Sequence, residues 1–225
     1  EVFLGRTDVT KKEVKEKALE IMRLVGISDV EKRYKQYPHE LSGGMKQRVM
    51  IAIALVSRPG LVICDEPTTS LDVTIEAQIL DLLLELRDKL GMSIIMITHD
   101  LGVIARMCDR VIVMYGGLVM EEASIDDVFE KPGHPYTMGL LESIPDIKQD
   151  KSVRLMPIPG SPPDMTNPPV GCPFAPRCPY ARKICAQELP EFIELGEGHR
   201  TRCFLQYPDA PADENNPFRK RPYQL

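Results

Sequence analysis

The chain has 225 residues, of which 43% are hydrophobic and 27% charged, with a formal net charge of -5. This length suits one domain with an appendage, and the acidic balance argues against a nucleic-acid partner, which normally needs a basic face. No apolar run approaches the roughly 18–20 residues that cross a bilayer, and no signal peptide opens the chain. Because the sequence begins with Glu1 rather than Met, we expect that it has been cut at its N-terminus.

The first part of the chain predicts two helices joined by a loop. Thr10 and Glu13 have the spacing of a capping box, and apolar residues then recur at helical spacing until Gly26 ends the pattern. A second helical pattern covers residues 45–57, just before a Pro-Gly pair.

The middle of the chain alternates strands and helices. Residues 61–64 and 93–98 are continuous apolar runs, as expected of strands buried on both faces. Between them, Asp72 is placed to cap a long helix that Gly91 ends, and residues 101–107 predict a short helix. This alternation indicates an α/β sheet with parallel strands at its centre.

The composition changes towards the C-terminus. Two predicted strands flank a Gly-Gly pair at residues 116–117, which is a hairpin signal. Seventeen of the 20 prolines lie from Pro132 onward, and proline removes amide donors and blocks helix interiors. Apart from one last helix over residues 137–144, we therefore expect a loop-like tail from Pro145 that needs a staple to hold one shape.

A serine and two glycines precede the second predicted helix. Ser42 is a good N-cap residue, and Gly43 and Gly44 let backbone amides approach an anion without a Cβ in the way. The free amides of a helix N-terminus suit a phosphate group. Taken alone, a plain Ser-capped helix explains this pattern better.

Acidic and histidine residues follow the two predicted strands. Open α/β sheets bind ligands beyond the carboxyl ends of their strands, which is where Asp65, Glu66 and His99 fall. There Asp65 would hold Mg²⁺ through water, and Glu66 would polarise the attacking water as a general base. His99 would hydrogen-bond a terminal phosphate. A solvated acidic pair and a structural histidine are the alternatives.

In combination, these motifs resemble the ATP-binding cassette (ABC) family of transporter ATPases. The matching segments are a signature motif at residues 41–47, a Walker B strand at 61–66, a D-loop at 70–72 and a switch histidine at 99. The resemblance extends to the oligopeptide/dipeptide importer subfamily. Its pattern is followed by residues 42–52, 65–74, 98–103, 134–137 and 171–178.

The resemblance implies a mechanism and a set of partners. Two ATPase subunits, identical or paralogous, sandwich ATP and Mg²⁺, and hydrolysis drives two membrane-spanning permease subunits. An extracytoplasmic binding protein selects the peptide cargo, and the ATPase lies peripherally on the cytoplasmic face of the membrane. Glu66 and His99 take the catalytic roles. The implied nucleotide- and magnesium-binding residues are Ser42, Gly43, Gly44, Gln47, Asp65 and Asp72.

One part of the family pattern is missing. The sequence contains no G-x-x-x-x-G-K-[ST] phosphate loop. We therefore expect an α/β fold with an incomplete phosphate-loop ATPase core. Its expected parts are a helical signature subdomain (residues 1–58), a partial core (59–130) and a proline-rich, cysteine-containing tail (131–225). Such a fragment would bind ATP poorly by itself. It would still offer the turn formed by Ser42, Gly43 and Gly44, here called the signature turn, to a complete partner subunit.

Six cysteines are present, and four of them cluster in the tail. They are Cys172, Cys178, Cys185 and Cys203. The five, six and 17 residues between them lack the short pairs typical of structural zinc, whereas iron–sulfur clusters accept wider spacing. Some subfamily members carry a [4Fe–4S] cluster on such cysteines. We therefore expect this cluster first, zinc second and free thiols third, with Arg177 and Arg200 among the residues offsetting its charge and His199 as a substitute ligand.

Other functions fit the residues less well. A DNA-repair or chromosome-organising cassette ATPase would need long heptad arms or a basic face, and the sequence has neither. A metal-stapled regulatory or assembly fragment without turnover would also lack the phosphate loop, and nickel importers share these motifs. The sequence predicts an ATP-hydrolysing subunit of a peptide importer and leaves those last two alternatives open.

Overall fold

The computed structural model describes residues 10–69, 71–144, 157–211 and 215–219. The chain forms two compact units, one ending at Met107 and the other beginning at Cys108. Ser70 of the D-loop motif lies outside the described residues, as does the predicted start of the loop-like tail at Pro145. None of the helices in the described ranges combines the length and the apolar character needed to cross a bilayer. The segment boundaries expected after residues 58 and 130 stay predictions.

The first unit is built from helices and one pair of strands. In chain order its described elements are α1 (Lys11–Leu24), α2 (Val30–Arg33), α3 (Gly43–Leu55), β1 (Leu61–Asp65), α4 (Val73–Leu90), β2 (Ser93–Ile97) and α5 (Leu101–Met107). The predicted capping box is confirmed, because the side chains of Thr10 and Glu13 each accept a hydrogen bond from the other's backbone N–H. Helix α3 begins two residues before the predicted start because Ser42 caps it directly.

Helix α4 supplies much of the apolar core of this unit. Its buried residues are Ile79, Leu80, Leu82, Leu83 and Leu86. The helix ends as predicted at Gly91, whose φ of 63° is a left-handed conformation that glycine adopts without strain. Asp72 is the N-cap residue, but its side chain makes no capping hydrogen bond within the described part of the chain. The predicted position of the cap is therefore confirmed, without the side-chain hydrogen bond that often accompanies it.

Strands β1 and β2 form the predicted parallel pair, with Asp65 opposite Ile97 at their carboxyl ends. The expectation of burial on both faces is wrong for these residues. Val62 is buried whereas Ile63 is 62% exposed, so the unit covers only one face of the pair. Because the strands are parallel, the residues that follow β1 and β2 emerge at the same edge.

The second unit contains an antiparallel sheet with short helices. Its described elements are β3 (Arg110–Tyr115), β4 (Leu118–Ser124), α6 (Ile125–Glu130), α7 (Pro135–Glu142), α8 (Lys183–Gln187), β5 (Ile193–Gly196) and β6 (His199–Thr201). The strand order is β3-β4-β6-β5. The predicted hairpin is confirmed at Gly116 and Gly117, whose φ angles of 55° and 75° suit a two-residue turn.

The tail is more regular than its proline content predicts. Strand β6 pairs with β4, placing Thr201 opposite Glu121 and Arg200 opposite Glu122, and β5 then pairs with β6. The expectation of a loop-like tail is therefore wrong for these residues, which contain no proline and complete the sheet of the second unit.

Candidate functional site

Glu66 leaves the end of β1 through a tight, hydrogen-bonded turn. Its backbone N–H donates to the Ile97 carbonyl at 2.9 Å, which extends the strand pairing by one residue, and its own carbonyl accepts from Thr69 N–H at 3.2 Å. The φ of Glu66 is 44°, in the left-handed region that non-glycine residues rarely adopt. Strain of this kind clusters at functional sites, where the surrounding structure fixes the conformation.

The Glu66 carboxylate has a partner on each oxygen. Oε2 accepts from the Thr69 hydroxyl at 2.8 Å, and Oε1 lies 3.1 Å from Nδ1 of His99. The pKa of Glu66 is lowered, first by the Thr69 hydrogen bond and then by His99. The carboxylate is therefore ionised at neutral pH and able to accept a proton from a bound water. The structure thus brings Glu66 and His99 together, as the order of the strands predicts.

Asp65 is the last residue of β1 and is exposed at the same edge. A solvent-facing carboxylate beside Glu66 suits Mg²⁺, which keeps several of its waters and prefers oxygen ligands. The residues present therefore fit this ion.

The signature turn packs against the start of α4. The Ser42 hydroxyl accepts from Met45 N–H at a long 3.4 Å, and both Ser42 and Gly43 are exposed. A Cβ at Gly44 would lie 2.9 Å from Cγ2 of Ile75, so the close approach of α3 to α4 requires glycine. Since the first amides of a helix have no intrahelical acceptor, this exposed turn can bind an anion.

The remaining predicted residues make no direct contact with Glu66 or His99 through a hydrogen bond in the described part of the chain. Gln47 is half-buried one turn into α3, and Asp72 is exposed at the start of α4. Among the described residues, no hydrogen bond links the Ser42 turn, Gln47 or Asp72 to Glu66 or His99. The expectation that these residues serve the nucleotide of a second subunit stays a prediction.

Two family models match different parts of the chain. A family model described as "ABC transporter" matches residues 1–69, and one described as "Oligopeptide/dipeptide transporter, C-terminal region" matches residues 120–185. The oligopeptide transport ATP-binding protein OppD of Bacillus subtilis is 50% identical over 214 residues, which is 95% of this chain and 60% of that protein. The chain belongs to the ATP-binding cassette family.

Other ABC relatives show similar coverage. The probable peptide ABC transporter ATP-binding protein y4tR of Sinorhizobium fredii is 52% identical over 87% of this chain and 58% of its own length. The dipeptide transport ATP-binding protein DppD of Bacillus subtilis is 48% identical over 92% of this chain and 61% of its own length. The chain therefore spans about 60% of the length of these curated relatives.

A solved ABC cassette shares the fold over part of the chain. The crystal structure of the ADP conformation of MJ1267, an ATP-binding cassette of an ABC transporter, has a TM-score of 0.50 and 26% identity. The match covers 62% of this chain and 54% of that one. This likeness supports the mixed helix-and-sheet cassette fold expected from the motifs.

The four tail cysteines of this ABC chain surround one small cavity in the second unit. Cys172, Cys178, Cys185 and Cys203 all line it, together with His134 and apolar side chains, and its volume is about 20 Å³. Burial raises the pKa of Cys172 and of Cys203, and it raises the pKa of Cys178 to about 12. These thiols are therefore neutral as described, and ligation would have to draw off their protons.

The surroundings of the cavity differ from the expectation of a metal site. Among the described residues, no three His, Cys, Asp or Glu side chains are grouped so that they could hold a metal ion, so neither the [4Fe–4S] cluster nor zinc is supported by this arrangement. His199, expected as a substitute ligand, instead contacts Glu121 at 2.8 Å. Arg177 donates to the carbonyls of Ile158 and Pro159, and Arg200 donates to Glu122. These side chains stabilise the fold of the tail.

Sequence reasoning did not single out two polar residues, Thr69 and Glu121. Thr69 stands three residues after Glu66, a spacing at which a threonine can fold back on the turn, so the motif itself carried the signal. Glu121 is completely buried and binds residues up to 78 positions away, for which no local pattern exists.

Proposed function

We propose that the chain is part of the ATP-hydrolysing subunit of a peptide ABC importer. The observation that carries the proposal is the contact of Glu66 with His99 across 3.1 Å at the carboxyl ends of two parallel strands. Ligands bind beyond such strand ends in open α/β sheets.

The proposed chemistry divides between three residues at that edge. The ionised Glu66 carboxylate orients the attacking water and accepts its proton as general base. His99 uses Nδ1 toward Glu66, which leaves Nε2 as its other ring nitrogen for the terminal phosphate of ATP. Asp65 would hold Mg²⁺ through water, and that ion neutralises charge on the transferring phosphoryl group when it is bound.

The signature turn serves the nucleotide of a second subunit in this proposal. The exposed Ser42 and Gly43 lie at the N-terminus of α3, where amides and the helix dipole attract anions, while Gln47 and Asp72 lie near the same subunit boundary. The second subunit is another ABC ATPase, either a paralogue or a second copy. It supplies the phosphate loop that faces this turn.

The names of the relatives support a proposal for the cargo and the membrane partners. Their names specify peptide, oligopeptide and dipeptide transport, so we propose uptake of di- or oligopeptides through two membrane-spanning permease subunits. An extracytoplasmic peptide-binding protein delivers the cargo, and this subunit lies on the cytoplasmic face of the membrane.

The test measures ATP-driven peptide uptake by the assembled transporter containing this chain. Ser42→Arg places a long side chain over the anion-binding amides, so we expect uptake and ATP turnover to fall by about 10²-fold or more. Ser57→Arg, at an exposed position just beyond the other end of α3, is the matched control and should retain both activities. Normal uptake by Ser42→Arg would contradict the role of the turn, and transport of Ni²⁺ without peptides would contradict the cargo.

For the second unit we propose that the four tail cysteines hold a [4Fe–4S] cluster. The proposal starts from the four thiols that line one cavity, and it requires those side chains to turn towards a common centre. We expect anaerobically purified protein to contain iron and sulfide and to absorb visible light. The Cys178→Ser variant should lose the bound iron and sulfide and, with them, the visible absorbance. Bound zinc without visible absorbance would select zinc instead, and metal-free protein with the same thermal stability would reject both.

A further inference from the structure

The Glu66 carboxylate is the proposed general base, and its orientation depends on the contacts that restrain the terminal torsion of its side chain. The terminal torsion of a glutamate side chain is broad and has no sharply preferred angle. In a solvent-facing site, hydrogen bonds must therefore set the direction of the two oxygens. Oε1 meets His99, but the side chain of His99 is 81% exposed, so the histidine gives only a loose anchor.

Thr69 is held in place by the same turn that carries Glu66. The Thr69 N–H donates to the Glu66 carbonyl, which closes the turn over Pro67 and Thr68, and the ring of Pro67 restricts its own φ. The Thr69 hydroxyl then donates to Oε2 at 2.8 Å. Both ends of this hydrogen bond are therefore fixed to a four-residue backbone loop, unlike the bond to His99.

We propose that Thr69 is a positioning residue for hydrolysis: its hydroxyl holds the Glu66 carboxylate so that the other oxygen meets His99. This leaves the remaining lone pairs of the carboxylate directed at the attacking water. The lowered pKa of Glu66, of which the Thr69 hydrogen bond is the largest cause, agrees with this contact. The inference rests on the proposed ATPase function.

The experiment measures kcat and KM for ATP in the assembled transporter. Thr69→Val keeps the shape of the side chain and removes the donor, and we expect kcat to fall by about 10- to 100-fold with KM unchanged. Thr69→Ser restores the hydroxyl and should recover most of kcat. Thr68→Val is the matched control, since the Thr68 side chain makes no hydrogen bond within the described residues, and it should behave as the wild type.

A double variant separates positioning from a general structural role. If Thr69 acts through Glu66, adding Thr69→Val to Glu66→Gln should lower the residual single-turnover rate by less than twofold. Wild-type kcat in Thr69→Val, a loss shared by Thr69→Ser, a rise in KM or additive losses in the double variant would each overturn the inference. A wild-type transporter without any ATP hydrolysis would instead reject the proposed function, and this inference with it.

Discussion

Replacing Glu66 with Gln will lower the ATP turnover of the assembled transporter by about 10²–10⁴-fold, the range expected when a general base is removed. Glutamine keeps the shape of the side chain and can still hydrogen-bond to Thr69 and His99, but its amide cannot take up the proton of the attacking water. Since the signature turn is untouched, nucleotide-dependent pairing of the two ATPase subunits should persist.

The measurement pairs a turnover assay with sedimentation of the ATPase subunits in the presence and absence of ATP. Glu16→Gln makes the same chemical change at an exposed position on α1 and should retain wild-type turnover. Near-normal hydrolysis by Glu66→Gln would remove Glu66 from its proposed role. Loss of pairing together with turnover would indicate damage to the subunit rather than to its chemistry.

The parts of the fold that sequence reasoning predicted depend on residues close together in the chain. The capping box joins Thr10 to Glu13, and the stop at Gly91 needs only one left-handed residue. The meeting of Glu66 with His99 spans more of the chain, yet it follows from two parallel strands ending at one edge. In each case a short pattern contains all of the physical requirements.

The remaining features depend on partners that no local pattern specifies. Strand β6 has only three residues, too few for an alternating pattern, and its pairing with β4 is decided by contacts across about 80 residues of sequence. The exposed face of β1 has the same apolar residues that a covered face would have, so composition could not distinguish the two. The proline content of the tail predicts irregular backbone. It could not predict that the proline-free strands β5 and β6 join the sheet of the second unit.

Removing the Glu121 carboxylate will strongly destabilise the chain. Glu121 is completely buried on β4, where it accepts hydrogen bonds from the backbone N–H groups of Gly133 and His134 and from the Thr137 hydroxyl. Its Oε1 also lies 2.8 Å from Nε2 of the buried His199. The carboxylate therefore joins β4, β6 and the start of α7 within one polar cluster.

We expect Glu121→Ala to lower the free energy of unfolding by about 3–5 kcal/mol, because several buried donors lose their acceptor at once and each unsatisfied buried group costs about 1–3 kcal/mol. The substitution leaves two N–H groups, a hydroxyl and an imidazole without their acceptor. Glu122→Ala is the matched control, because this neighbouring carboxylate is partly exposed and pairs with the exposed side chains of Arg110 and Arg200. Its loss should be about 1 kcal/mol or less.

A glutamine at position 121 tests whether the charge or the acceptor geometry matters. Oε1 faces the Gly133 N–H and His199, and Oε2 faces the His134 N–H and the Thr137 hydroxyl. Whichever way the amide turns, its NH₂ group meets a backbone donor. We therefore expect Glu121→Gln to lose about 1–3 kcal/mol, between the other two variants. Denaturant unfolding followed by circular dichroism measures all three, and equal stability of the Glu121→Ala and Glu122→Ala variants would show that the buried cluster does not stabilise this unit.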